Sequence, residues 1–356
     1  MLELQKVTRK VEGETCLDDI SLSLQRGELA VLLGPTRAGK TSLMRLMAGL
    51  DKPDAGDIFF DGKSVRDVPV QKRNVAMVYQ QFINYPTLSV YDNIASPLVV
   101  AGIKRDEIRR RVNAIAELLQ LTALLQRKPA ALSGGQQQRV ALGRALVKGA
   151  DLVLLDEPLA NLDYKLREEL RTELPRLFAD TGAVLVYATT EPSEALVLGG
   201  KTLCLHEGRV IASGPTTEVY RRPVSLLTAR LFSDPPLNTA TVIAQAGAFY
   251  FRDNAASFRL GVAEVMDGEF TIGIRPHCLQ PDRSSPDAIE VPATVTVTEL
   301  SGSESYVHFN FMGQPWVALL HGIHDFAPSE QVRFYVRPEH VMLFAADQQR
   351  ISMGIG

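Results

Sequence analysis

One segment constrains this chain more than any other. Gly34-Pro35-Thr36-Arg37-Ala38-Gly39-Lys40-Thr41 follows the apolar run Leu29-Ala30-Val31-Leu32-Leu33 and precedes a helical pattern from Thr41 to Leu50. An unbroken apolar run of that kind reads as a strand buried on both faces. A strand, a glycine loop and a helix in that order call for a parallel sheet covered by helices. The same rhythm returns at Leu152-Val153-Leu154-Leu155, a second buried strand ending in Asp156-Glu157. A charged helical pattern then runs from Tyr164 to Phe178, followed by a strand at Ala183-Val184-Leu185-Val186-Tyr187-Ala188.

The remainder of the first part fits around that frame. Leu2-Glu3-Leu4 and Ile20-Ser21-Leu22-Ser23-Leu24 alternate as half-buried strands. Residues 88–126 read as helical, and another helix is expected from near Ser133 to just before Asp151. The run Lys104-Arg105-Asp106-Glu107-Ile108-Arg109-Arg110-Arg111 reads as a solvated helix face. Near Asp234-Pro235-Pro236 the pattern changes. Alternating strands such as Thr294-Val295-Thr296-Val297-Thr298 and Val332-Arg333-Phe334-Tyr335-Val336 follow, without a clear amphipathic helix. The expected organisation is an α/β domain over residues 1–234, with a helical subdomain over about 88–150, and a small all-β domain over 235–356.

Composition excludes several classes of function. The chain has 356 residues, enough for two or three domains, with 46% apolar and 22% charged residues. Lys and Arg number 38 against 41 Asp and Glu, so the net charge of −3 gives no reason to expect nucleic-acid binding. Cys16, Cys204 and Cys278 are too few and too scattered for a disulfide framework or a cysteine zinc site. The N-terminal residues do not read as a signal peptide, and no apolar run is long enough to span a bilayer. A cytoplasmic, soluble, multidomain protein is expected.

Gly34 to Thr41 matches GxxxxGK[ST] in its required setting. The glycines let backbone N–H groups turn inward on the β- and γ-phosphates of a nucleotide, helped by the helix N-terminus. Lys40 would neutralise phosphate charge, Thr41 would ligate Mg²⁺, and Ser42 adjoins them. Carboxylates at the end of a parallel strand sit where ligands bind. Asp156 would hold Mg²⁺ through water, and Glu157 would orient or deprotonate an attacking water. The chain reads as an α/β P-loop NTPase that binds ATP with Mg²⁺.

Leu132-Ser133-Gly134-Gly135-Gln136 resembles the signature motif of ABC-type ATPases. A serine hydroxyl and glycine N–H groups at a helix start form an anion site. The resemblance implies that Ser133, Gly134, Gly135 and Gln136 close over nucleotide held by a second chain. Gln80, in Val78-Tyr79-Gln80-Gln81, resembles the residue linking Mg²⁺ to the membrane partner. Ala160-Asn161-Leu162-Asp163 resembles the loop crossing the dimer interface, with Asp163 near the nucleotide. Residues 82–103, from Phe82-Ile83-Asn84-Tyr85-Pro86, resemble the region that receives a permease helix. Ile272-Gly273-Ile274-Arg275-Pro276-His277, Glu299-Leu300-Ser301-Gly302-Ser303-Glu304 and Arg337-Pro338-Glu339-His340 resemble the oligonucleotide-binding-like (TOBE-type) regulatory domain of maltose and glycerol-phosphate importers. Tyr79 to Ile94 is most similar to one ATPase of a glycerol importer that uses two different ATPase chains.

Two positions depart from the family pattern. Where the family has Thr-His-Asp after the last strand, this chain has Thr189-Thr190-Glu191, so Thr190 replaces the histidine that contacts γ-phosphate and water. A hydroxyl cannot span an imidazole's reach, and losing one preorganised donor costs about 2.7–4 kcal/mol. Val11 stands where the family has an aromatic adenine platform, and base stacking is worth about 1–3 kcal/mol. The chain's own site is therefore expected to be impaired, with its signature serving a competent partner. The competing expectation is that Thr190, Glu191 and a water replace the histidine and both sites turn over.

Other residues read blandly. His321 and His324 are expected to be loop or surface histidines, Trp316 a core residue of the small domain, and the cysteines ordinary small apolar groups. The resemblance as a whole implies an ABC importer ATPase for a small sugar or polyol, glycerol or glycerol phosphate favoured. It implies a second ABC ATPase chain (a different chain favoured, a homodimer possible), two membrane permease subunits and an external binding protein. Its expected place is peripheral, on the cytoplasmic face of the inner membrane. The rivals are a mainly non-catalytic allosteric subunit completing its partner's site, and a soluble ATPase acting on DNA or ribosomes; the latter would call for tandem halves, a coiled-coil insertion or a basic face.

Overall fold

The computed structural model describes residues 1–351 apart from Phe82, Asn161, Asp180, 252–256 and 261–265. The expectations placed on Phe82 and Asn161 thus lie outside the described residues. The chain forms two compact units, Met1–Thr217 and Glu218–Gly356.

The first unit opens with β1 (Leu2–Val11), β2 (Glu14–Leu24), β3 (Leu29–Leu33) and α1 (Lys40–Ala48). β4 (Ala55–Phe60), β5 (Lys63–Ser64) and β6 (Val75–Val78) follow. Three helices come next: α2 (Val90–Val100), α3 (Arg105–Leu118) and α4 (Gly134–Val147). The unit then continues through β7 (Leu152–Asp156), α5 (Tyr164–Ala179), β8 (Val184–Thr189), α6 (Pro192–Leu198), β9 (Lys201–His206) and β10 (Arg209–Pro215).

β3, β6, β7, β8 and β9 run parallel in a sheet of order β10-β9-β3-β8-β7-β6, with only β10 antiparallel. Every residue of β7 and β8 is buried: the apolar runs, as strands covered on both faces require, and also the polar Asp156 and Thr189 that end them. A second, antiparallel sheet has the order β2-β1-β4-β5. α1 packs Leu43, Met44, Leu46 and Met47 against both sheets, so its N-terminus is fixed at the ends of the parallel strands.

The stretch 88–126 is broken by Ala101-Gly102, where Gly102 turns the chain at φ 70° between α2 and α3. Ile108, Val112 and Ala116 form the buried stripe of α3, while Glu107 pairs with Arg110 and Arg111 on its wet face, as the charged run led us to expect. In α2 the fully buried Asn93 amide donates to the carbonyls of Tyr85, Leu88 and Ser89 and accepts from Tyr85 N–H, which locks the loop ahead of the helix.

In the second unit, the sequence places its boundary near 234, yet α8 (Leu226–Leu231), after α7 (Thr216–Arg221), already belongs to it. The reason is packing: Leu226 and Ala229 share a cluster with Leu237, Met342 and Phe344. The strands are β11 (Asn238–Gln245), β12 (Ala248–Phe251), β13 (Ser257–Phe258), β14 (Gly268–Ile274), β15 (Ile289–Leu300) and β16 (Glu304–Phe311). β17 (Gln314–His321), β18 (Gln331–Val336), β19 (Val341–Phe344) and β20 (Arg350–Ile351) complete it. They pair antiparallel as β13-β12-β11-β14-β19-β20 and β17-β16-β15-β18. Phe251, Phe309, Phe311 and Phe334 fill the core around Trp316, which is 2% exposed and donates its indole N–H to the Thr239 carbonyl. His324 contacts the backbone carbonyl of His321 in a turn, and the described residues contain no group of three His, Cys, Asp or Glu placed to hold a metal.

Candidate nucleotide site

The glycine loop leaves β3 beside β9 with no room to spare. A Cβ at Gly34 would lie 2.3 Å from the Leu205 carbonyl oxygen, so this residue must be glycine for the loop to exit there. Gly39 caps α1 at φ 101° without any side-chain acceptor, and Arg37 also takes positive φ, 69°. The first amides of α1 thus remain free to face an anion, backed by the helix dipole.

Lys40 is 5% exposed and donates to the carbonyls of Gly34 at 2.7 Å and Pro35 at 3.1 Å. Burial pushes its pKa down, while Glu157 and Asp156 pull it back up. The Thr41 hydroxyl donates to Asp156 Oδ2 at 2.7 Å. Asp156 is 2% exposed at the end of β7, and burial raises its pKa against that hydrogen bond and the Lys40 charge. Glu157 follows at φ 47°, a left-handed conformation that costs a residue with a Cβ and is common at functional positions. Its carboxylate accepts from Gln80 Nε2 at 2.9 Å and lies 3.7 Å from Lys40 Nζ.

These groups face a cavity of about 630 Å³. Thr36, Arg37, Gly39, Lys40, Thr41, Ser42, Gln80, Glu157 and Val11 all line it. Pro35 and the buried Ala38 shape the loop, and Asp156 stands behind Thr41. Ser133, Gly134, Gly135, Gln136, Asp163 and Thr190 do not line it. Ser133 and Gln136 instead form a reciprocal capping box at the start of α4. Asp163 accepts from Leu166 N–H at the start of α5.

Thr190 is exposed just past β8. Glu191, its neighbour, is drawn into a separate cluster with Arg167, Arg171 and the buried Glu194. Arg167 foremost holds the Glu191 carboxyl below its ordinary range. Glu194 also accepts from Thr189 Oγ1 at 2.6 Å and Tyr187 OH at 3.1 Å. Glu191 is thus ion-paired outside the set of residues that line the cavity.

Two contributors escape sequence reasoning. Gln138, one turn into α4 and 1% exposed, donates to the Pro158 carbonyl at 2.9 Å and reaches the Glu157 carbonyl at 3.5 Å. It ties the helix after Ser133 to the strand end that carries Glu157. Glu207 and Gly208, with Glu12 and Glu14, complete the wall around Val11, and Gly208 N–H donates to the Ala38 carbonyl. Only the helix-face position of Gln138 offers a signal in the sequence; nothing marks the 207–208 turn.

Comparison with known proteins agrees with this geometry. The family model "ABC transporter" matches residues 17–160 and the model "TOBE domain" residues 272–344. The chain is 37% identical over 325 residues to the sn-glycerol-3-phosphate import ATP-binding protein UgpC of Yersinia enterocolitica, covering 90% of each chain. The chain belongs to the ABC transporter family. This ABC ATPase is also 36% identical to UgpC of Paraburkholderia xenovorans, over 96% of its own length and 97% of the relative's. It is 39% identical to the trehalose/maltose import ATP-binding protein MalK of Thermococcus litoralis, over 86% and 88%. Among solved structures, the dimeric ATP-binding cassette MJ0796 in a post-hydrolysis state with ADP and Pi is 28% identical, with a TM-score of 0.56. It spans 61% of this ABC ATPase and 99% of that chain. The α/β P-loop fold followed by an all-β TOBE domain is therefore the family's, and so is ATPase activity.

Proposed function

We propose that this ABC ATPase is the ATP-binding subunit of an importer for a small carbohydrate or polyol, glycerol or glycerol phosphate first among them, with slow hydrolysis at its own site. What carries the importer reading is the span of the likeness. Relatives named for sn-glycerol-3-phosphate import align over both domains, not over the cassette alone.

Lys40 and the free amides of α1 bind and neutralise the phosphates of ATP, and Val11 offers the base an apolar but non-aromatic wall. Thr41 and Gln80 line the cavity and Asp156 stands behind Thr41, a set of hard oxygen donors that would hold Mg²⁺ beside the phosphates. When bound, Mg²⁺ supplies charge neutralisation at the phosphate oxygens. Glu157 orients the attacking water and accepts its proton, steered by Gln80 and Lys40. Thr190 leaves one developing charge without the reach of an imidazole, so the chemical step is slow but, with Glu157 in place, not abolished.

Ser133 to Gln136 and Asp163 stand apart from the chain's own cavity, which supports their service to a second ABC ATPase chain, a different one favoured. The exposed Tyr85 and Val100 line a groove of about 310 Å³ where Arg144 stacks on Tyr85 at 4.8 Å, and Ile83 and Val99 are exposed nearby in the sequence. That half-apolar groove suits one helix of a membrane subunit, a second subunit docking on the second ATPase chain, which would place the chain at the cytoplasmic face, with a binding protein outside. No described helix is long and apolar enough to cross a membrane itself.

The test is uptake in cells whose only copy of this chain carries Lys40→Ala, with labelled sn-glycerol 3-phosphate, glycerol and maltose compared. Loss of uptake of either glycerol compound is expected. Undiminished uptake of all of them overturns the substrate reading.

A further inference from the structure

A second cavity lies wholly within the C-terminal unit, and it is cationic. It measures about 730 Å³, within the roughly 300–1,000 Å³ of small-molecule sites. Arg275, Arg337 and Arg350 converge on it from the end of β14, the turn after β18, and β20. Arg221, His277 and His340 add further basic groups, and Glu339 is the one carboxylate lining it among the described residues.

Of the three arginines, only Arg337 has an ion-pair partner among the described residues, the exposed Glu339. Among the described residues no carboxylate pairs with Arg275 or Arg350. Arg275 lies 3.8 Å over the Tyr220 ring and donates to the Tyr220 carbonyl, and its buried Nε has no partner. The Arg350 guanidinium donates to the Arg221 carbonyl at 3.0 Å. Arg337 is steadied by Ser284 Oγ at 3.3 Å and lies 3.5 Å from Glu339. Glu339 is thus the single counter-charge among the described residues against three partly buried guanidinium groups, and an excess of positive charge of that kind is costly in the free protein. A bound anion repays that cost, and the planar forks match the oxygens of a phosphate.

We propose that this cavity binds a small phosphomonoester, its phosphate held by Arg275, Arg337 and Arg350 and its organic part by the volume that an inorganic ion leaves empty. Burial, followed by Arg275, His340 and His321, holds the His277 imidazole below its ordinary pKa, in keeping with a strongly positive surround. The site lies outside the nucleotide cavity and does not depend on which solute the transporter carries.

The experiment is isothermal titration of the full chain, its nucleotide site first saturated with Mg²⁺ and a non-hydrolysable ATP analogue. sn-Glycerol 3-phosphate, glucose 6-phosphate, inorganic phosphate and sulfate are the titrants at constant ionic strength. A phosphomonoester is expected to bind at least about tenfold more tightly than inorganic phosphate or sulfate. Arg350→Gln and Arg337→Gln are each expected to weaken it about tenfold or more, while Arg350→Lys loses less. The variants' affinity for the ATP analogue should match the parent's, and their melting temperatures without ligand should not fall below the parent's. No binding at millimolar ligand, equal binding of all the anions, or binding unchanged in both glutamine variants overturns the proposal. Tighter binding of inorganic phosphate than of either ester also overturns it, by making the site one for the free ion.

Discussion

Glu191 is ion-paired with Arg167, one residue beyond Thr190. Arg171 holds the same carboxylate at 3.2 Å. The pKa of Glu191 is depressed in the fold, so its stabilising effect is present above the unfolded value of about 4.3 and lost as pH falls through the lower folded value. Because the side chain is 43% exposed, Glu191→Gln should cost only about 0.5–1 kcal/mol at neutral pH, measured as a urea midpoint, with the difference vanishing in acid. ATP turnover should change by less than about twofold, whereas a loss of about a hundredfold would mean that Glu191 acts on nucleotide or water.

Gln138 links α4 to the backbone that presents Glu157. Gln138→Leu leaves the Pro158 carbonyl without its buried donor, at a cost of about 1–3 kcal/mol. Turnover should fall while affinity for Mg²⁺-ATP stays near the parent's, because Lys40 and the α1 amides are untouched. Paired equilibrium binding and steady-state kinetics check this; equal losses in both would contradict a positioning role.

Gly34→Ala brings a methyl against the Leu205 backbone at 2.3 Å, and neither β3 nor β9 can yield cheaply. A loss of about 3 kcal/mol is expected from urea unfolding, together with loss of nucleotide binding. Gly62→Ala is the control for glycine replacement: that Cβ meets nothing within 4 Å but sits at φ 75°, so it should cost about 1 kcal/mol and spare binding.

What the sequence exposed and what it hid follow from how local each signal is. The glycine loop, β3, β7 and the capped start of α4 are legible because apolar runs and capping residues act over a few neighbours. Gln138 is a different case: its partner carbonyls at 157 and 158 approach only when α4 packs beside β6 and meets the segment that follows β7. The 207–208 turn closes the nucleotide cavity by chain crossing, and Arg275, Arg337 and Arg350 meet through strand order. The boundary near 234 follows a composition change, but Leu226 and Ala229 pack against β19, a pairing no local window contains.

Lys40 is a buried cation whose pKa lies below the ordinary 10.5, with burial the leading cause. Phosphate binding needs its protonated form, so affinity for an ATP analogue should begin to fall at a lower pH than an ordinary lysine would allow. Titration of affinity from neutral to alkaline pH checks this, with Lys40→Arg expected to flatten the profile. An unchanged affinity up to about pH 10 would contradict it.

The central claim is that Thr190 limits hydrolysis at the chain's own site. Single-turnover cleavage of Mg²⁺-ATP by the purified chain, native against Thr190→His with Glu157→Gln as the blank, tests it most directly. The account predicts slow native cleavage that rises about a hundred- to thousandfold in the histidine variant. Fast native cleavage, unchanged by Thr190→His, would contradict it.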